Sequence, residues 1–236
     1  MTISRPLSRI AATLSVGAVL LGTPALAGAS GTPSAASVIS ATSAQLLKEK
    51  SVHIAVTSVS TTTKSSISVD LGLSKGQEFL VSGTMKVAVI VTPKAAYLSG
   101  NALGLTTVMG LTSAQQSKMG TKWVIMPKGT TPYTNLAKNL TTAALALILP
   151  QSKGTKLSAS TDKAKDYRLT WATSSGSAAK ATNVLLISSG TRRLPISQTI
   201  STTTGHGSTK YSKWNQDFSV KVPKKSKTVS YKSVFG

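Results

Sequence analysis

Two histidines and six acids carry most of the side-chain chemistry open to this 236-residue chain, which has no cysteine. His53 falls in the alternating stretch "SVHIAVTSVS", and His206 in "TTTGHGST", which reads as a hairpin turn. No acid stands at metal-ligand spacing from either ring, so no metal site is expected. The acids Glu49, Asp70, Glu78, Asp162, Asp166 and Asp217 form no motif that would pair two carboxyls for general acid and base work. Serine is abundant, but no G-x-S-x-G elbow is present to activate one. The "GHG" lacks the helix and lysine that make a phosphate cradle. These residues predict a protein that is not an enzyme and needs no cofactor.

The missing cysteine removes more than nucleophiles. It excludes disulfides and thiolate metal sites, and it excludes the lipid-bearing cysteine of a bacterial lipoprotein. A leader is nonetheless expected. "MTISRPLSRI" carries Arg5 and Arg9 and no acid, and an apolar stretch follows it, broken by Gly22 and Pro24 and ending in Ala25-Leu26-Ala27. This is the layout of a secretory signal peptide over residues 1–27, cleaved before Gly28, and too interrupted for a membrane span. The mature protein is expected to be secreted and extracytoplasmic. Residues 28–34 read as a small-residue linker, 35–223 as one domain, and 224–236 as a basic C-terminal tail with a solvated character.

Charge constrains the partners. There are 27 Lys and Arg against 6 Asp and Glu, a formal net charge of +21, of which the leader holds two arginines. Most lysines have no acid to pair with and must face solvent, which creates a broad positive field. Export, the low aromatic content of 5% and the dispersal of the lysines argue against nucleic acid. An anionic envelope surface, wall polymer or lipid headgroups, is the expected electrostatic partner, held partly through the positive charge itself.

The elements that must position any site follow from periodicity. Ala35 to Lys50 predicts a helix with Ser34 as N-cap and Val38, Ile39, Leu46 and Leu47 on one face. The period then changes to two. Val52, Ile54 and Val56 alternate in the first strand, and Ile67, Val69, Leu71 and Leu73 in the second. "EFLVSGTM", "KVAVIVT" and "AAYLSG" follow as further strands. Two largely helical segments, "NALGLTTVMGLTSAQQSKMG" and Tyr133 to Leu149, flank the short strand at "KWVIMP". Strands resume through "TKLSAST", "DYRLTWAT", "ATNVLLIS", "LPISQTIST" and "STKYSKWN". This order predicts an α+β fold, a large curved antiparallel sheet with helices gathered on one face.

The segments "AAYLSGNALGL" and "SKMGTKWVIMP", together with "SVHIAVTS", "NVLLISSGTRRLPISQTIS" and "YSKWNQDFSVKVP", carry a resemblance. In their order and pattern over most of residues 35–223, the chain resembles the actinobacterial envelope lipid-carrier lipoproteins of the LppX/LprG type, which have the lipoprotein-carrier (LolA-like) fold. The resemblance implies a half-barrel whose concave face is covered by helices, leaving an apolar cavity for acyl chains. The absent lipobox cysteine departs from the lipoprotein members. On the resemblance, the lining residues expected beneath the middle helices are Leu98, Leu103, Leu105, Val108, Met109 and Trp123. Leu145 and Ile148 join them, with Ile54, Val69 and Leu71 from the opposing sheet. Two functions compete. One is an exported noncatalytic binder or carrier of lipids or other long apolar molecules in the bacterial cell envelope. The other is a basic, wall-associated structural or adhesion protein that binds anionic polymers and has a solid core.

Overall fold

The computed structural model describes residues 33–142, 144–145, 149–160, 165–173 and 180–236. The expected leader, most of the linker, Ile148 and Asp162 lie outside the described residues. Alternating apolar residues draw the remaining chain into one twelve-stranded open curved sheet, in the order β12-β6-β5-β4-β3-β2-β1-β11-β10-β9-β8-β7. Its first half is a meander: β1 (Ser51–Ser60), β2 (Lys64–Gly72), β3 (Gly76–Ser82), β4 (Met85–Val91), β5 (Ala95–Gly100) and β6 (Trp123–Pro127). A second meander, β7 (Lys156–Ala159), β8 (Tyr167–Thr173), β9 (Ala181–Ile187), β10 (Pro195–Ser201) and β11 (Gly205–Ser212), joins it where β11 pairs with β1. Every one of these pairings is antiparallel.

Because side chains alternate across a strand, the register sorts them onto two faces. Ile54 stands opposite Val69, Val69 opposite Glu78, Glu78 opposite Val89, and Val89 opposite Leu98. This row belongs to the core face. The row one residue along, His53, Asp70, Gln77, Ile90, Tyr97 and Ile125, belongs to the outer face. His206 lies in β11 opposite Val59 rather than in the hairpin turn expected for it; the turn falls at residues 202–204.

Five α-helices are described, and the four longest are capped at their N-termini. Helix α1 (Ala35–Leu46) starts where the Ser34 hydroxyl accepts from the Ser37 amide at 3.1 Å, and it buries Val38, Ile39, Thr42 and Leu46. It stops four residues short of Lys50, because the Lys50 amide donates instead to Asn215 Oδ1 at 2.6 Å. Leu47 is consequently exposed. Helix α2 (Ala102–Met109) is capped by Asn101, whose side chain also receives the Lys86 amide and donates to the Thr84 carbonyl, which ties the helix to the β3–β4 hairpin. Gly110, at φ 66°, ends it in the left-handed region. Helix α3 (Ser113–Met119) opens on a Thr112/Gln115 capping box. Helix α4 (Thr131–Asn139), with Pro132 in its first turn, ends ten residues before the expected Leu149. There Thr141 bridges to Gly72 of β2, so the backbone turns to the sheet instead of continuing the helix.

The C-terminal segment differs most from expectation. After β11 the chain crosses the outer face as a strap. The Asn215 amide donates to the Ser51 carbonyl, Lys75 Nζ donates to the Phe218 carbonyl at 2.6 Å, and Val220 packs with Ile90 and Tyr97. It then adds β12 (Thr228–Ser230) in parallel to β6, and the short helix α5 (Tyr231–Phe235) buries Val234. Residues 224–236 are therefore part of the packed structure and not a free tail.

Candidate ligand-binding face

The core face divides into a covered half and a half-accessible one. Over β4–β6, Val87, Val89, Leu98, Val124 and Met126 are all buried. Helix α2 lies on β4 and β5, α4 on β4 to β6, and both send apolar side chains into the same cluster. Two glycines allow this close cover. A Cβ on Gly104 would stand 2.3 Å from the Lys86 carbonyl oxygen, so α2 approaches β4 backbone to backbone. A Cβ on Gly76 would stand 2.3 Å from the Leu140 carbonyl oxygen, where the chain leaving α4 presses onto β3.

Over β1 and β2 the cover thins. Val52 and Leu71 at one end are buried, but Ile54, Val56, Ile67 and Val69 are only half-buried. Four apolar side chains on the face that elsewhere makes the core thus remain partly reachable. On the far side of this patch the face becomes polar. Tyr211, Gln198 and Thr209 are buried there, and the Tyr211 hydroxyl donates to Gln198 Oε1 at 3.4 Å. Burial alone pushes the Tyr211 phenol above its ordinary pKa, so it stays protonated.

Glu78 sits on β3 at the edge of the same patch, half-buried and flanked across the sheet by Val69 and Val89. Desolvation pushes its carboxyl up to about 7, and no charged group contributes to that shift. Other acids are provided for. Glu49 is ion-paired to Arg192 and receives Gln45 Nε2, and Asp70 on the outer face holds His53 Nδ1 at 2.7 Å and Gln77 Nε2 at 2.8 Å. Sequence reading missed the His53–Asp70 pair because it depends on the β1–β2 register, which places the two directly opposite.

The residues expected to line a cavity separate as follows. Leu71, Leu98, Leu105, Val108, Met109 and Leu145 are buried in one cluster, with Ile54 and Val69 packed half-buried against it. Leu103 does not join them. It is 52% exposed on the solvent side of α2. Trp123 is also misplaced: pairing of Val124 with Leu98 sends Val124 and Met126 to the core face, so Trp123 packs on the outer face with Ile90, Ala95, Tyr97 and Val220. Among the described residues no group of three or more His, Cys, Asp and Glu side chains is placed to hold a metal ion. No helix of the described residues is long and apolar enough to cross a membrane.

No family model matches the sequence, and no curated protein matches it. Solved structures do. The lipoprotein LppX of Mycobacterium tuberculosis is similar at 14% identity, over 80% of this chain and 100% of that one, with a TM-score of 0.47. LprF from Mycobacterium bovis is similar at 16% identity, over 82% and 99% of the two chains, with a TM-score of 0.44.

Proposed function

We propose that this chain is an exported, noncatalytic binder or carrier of lipids or other long apolar molecules in the bacterial cell envelope. The observation that carries the reading is the half-accessible patch of Ile54, Val56, Ile67 and Val69, continuous with a sealed apolar core on the same face. An alkyl chain laid along it would gain roughly 0.8 kcal/mol for each methylene removed from water. Leu145 is buried in the apolar cluster against which Ile54, Ile67 and Val69 pack, so an alkyl chain on the patch would adjoin that core. Native mass spectrometry tests the reading. Purified protein, as isolated or after incubation with methyl laurate, is expected to carry bound acyl mass that denaturation releases. Protein that stays ligand-free in both conditions would overturn it.

A second reading, adhesion to an anionic wall polymer or membrane surface, rests on a separate observation. Lys221, Lys224, Lys225, Lys227 and Lys232 are all exposed on the segment that the strap and β12 fix in place. Charges held on a fixed scaffold can meet a polyanion without first ordering a loose tail. Adhesion of this kind is expected to weaken steeply with added sodium chloride, because exposed charges are screened. Acyl binding is expected to be nearly indifferent to it.

A further inference from the structure

Strand β3 inverts the usual polarity of a sheet. Register places Gly76, Glu78 and Leu80 on the core face and Gln77, Phe79 and Val81 on the outer face. Phe79 and Val81 are both largely exposed, while the carboxyl of Glu78 faces inward among valines. Leu80, at 3% exposure, fixes that register, so the inversion is not a slip. Among the described residues no hydrogen bond or ion pair reaches Glu78, although the chain has 27 lysines and arginines to offer. A half-buried carboxyl with no partner in the protein has lost part of its water without replacement, and local violations of patterning of this kind concentrate at functional sites.

Resting on the reading of this face as a site for long apolar molecules, we infer that Glu78 sets the ligand class. The ligand is an amphiphile whose polar group donates a hydrogen bond to this carboxyl, as a hydroxyl or a protonated amine, while its alkyl chain lies along Ile54, Val56, Ile67 and Val69. The donor supplies what the chain withholds. A group with only acceptors, such as an ester, leaves the ionised carboxylate unsatisfied. Selectivity therefore resides in one side chain, and the surrounding patch contributes affinity without discrimination.

The dependence on pH follows from the surroundings of Glu78. Its own row holds one other titratable side chain, Tyr211, beyond Val69 and Ile54, and burial keeps that phenol neutral. Helix α2 brings no titratable residue to the face. Helix α4 brings Tyr133, whose hydroxyl donates to the Thr92 carbonyl, and an exposed Lys138. Near α1, Glu49 is committed to Arg192. Glu78 accordingly titrates by itself around 7, and an alkylamine should bind more tightly as pH rises from about 6 to about 8, since the amine stays protonated throughout.

The test is displacement of the neutral dye Nile red by dodecylamine, dodecanol and methyl laurate, from the full mature chain and from Glu78→Gln and Glu78→Leu. At about pH 8 the wild type should prefer dodecylamine to methyl laurate about tenfold, the range of a charge-assisted hydrogen bond. Both variants should lose that preference and keep methyl laurate binding. A parallel gain for dodecanol assigns the contact to hydrogen bonding in general, and a gain for the amine alone assigns it to charge pairing; either supports the inference. Equal displacement by all three probes, or an amine preference that survives in Glu78→Gln, overturns it while leaving the binding face intact. Failure of every probe to displace or bind overturns the binding reading as well.

Discussion

Strands β4–β6 and strands β1–β3 share one face of one sheet, and both direct valine, leucine and isoleucine onto it, yet in the second group only Val52, Leu71 and Leu80 are sealed. Helices α2 and α4 close over Val87, Val89 and Leu98, and backbone approaches at Gly76 and Gly104 bring them down tightly. Among the described residues, Ile54, Val56, Ile67 and Val69 have no comparable cover and share their surroundings with an unpaired carboxyl. Composition alone does not separate a core from a binding surface. The separation comes from where the helices end, which is set by caps and by the Thr141–Gly72 bridge that stops α4 early.

The largest expected effect contrasts one charge placed in each half. Val108→Lys puts an ammonium at a side chain only 2% exposed, inside the sealed cluster. A buried charge without a partner costs several kcal/mol, comparable with the whole stability of a domain. The variant should be unfolded by circular dichroism at room temperature. Ile54→Lys places the same group in the half-accessible patch, where a long side chain can carry its charge to water. It should keep the native spectrum and lose methyl laurate binding. If the two behave alike, the halves are not different.

Next in size is a dependence on pH. The Glu78 carboxyl titrates at about 7 in the fold and near the ordinary carboxylate value of 4.5 when unfolded. The folded state therefore holds the proton more firmly, and stability should fall as pH rises from the lower value through the upper. The total is about 3 kcal/mol at most. Urea melts of ligand-free protein at acid and alkaline pH should show this slope, and Glu78→Gln should flatten it. A wild-type slope unchanged by the substitution would remove Glu78 as its source.

Gly76→Ala tests the boundary between the halves. Its methyl group would meet the Leu140 carbonyl oxygen, so the chain leaving α4 must lift, at a cost of about 1–3 kcal/mol in a thermal melt. Probe binding should change as well, because that turn borders the patch. The smallest effect is expected for Leu103→Ser on the solvent side of α2, within about 0.5 kcal/mol in stability and with unchanged binding. A binding loss there would return Leu103 to the site from which its exposure removes it.

Strict alternation made β1 and β2 readable in the sequence, and Ser34 marked the start of α1. Leu71 was recognisable as inward for the same reason, whereas Leu98, Leu105, Val108, Met109 and Leu145 were expected inside only on the family resemblance. Trp123 was not, since "WVIM" is apolar at every position and gives no period from which to choose a face; only pairing with β5 does so. The tail was not, since a three-residue strand and a five-residue helix are too short to show periodicity. Glu78 was the least legible. The run "FLV" is apolar at three successive positions and so names no face, and only the burial of Leu80 turns Glu78 inward.

Isoleucine methyl resonances test the central claim most directly, because the sequence places an isoleucine in each region that matters. Ile54 and Ile67 stand in the half-accessible patch, whereas Ile90 and Ile125 stand on the outer face. Titration of methyl-labelled protein with methyl laurate should shift Ile54 and Ile67 to saturation and leave Ile90 and Ile125 where they were. Shifts confined to Ile90 and Ile125, or no saturable shift at any isoleucine, would contradict the assignment of this face as the binding site.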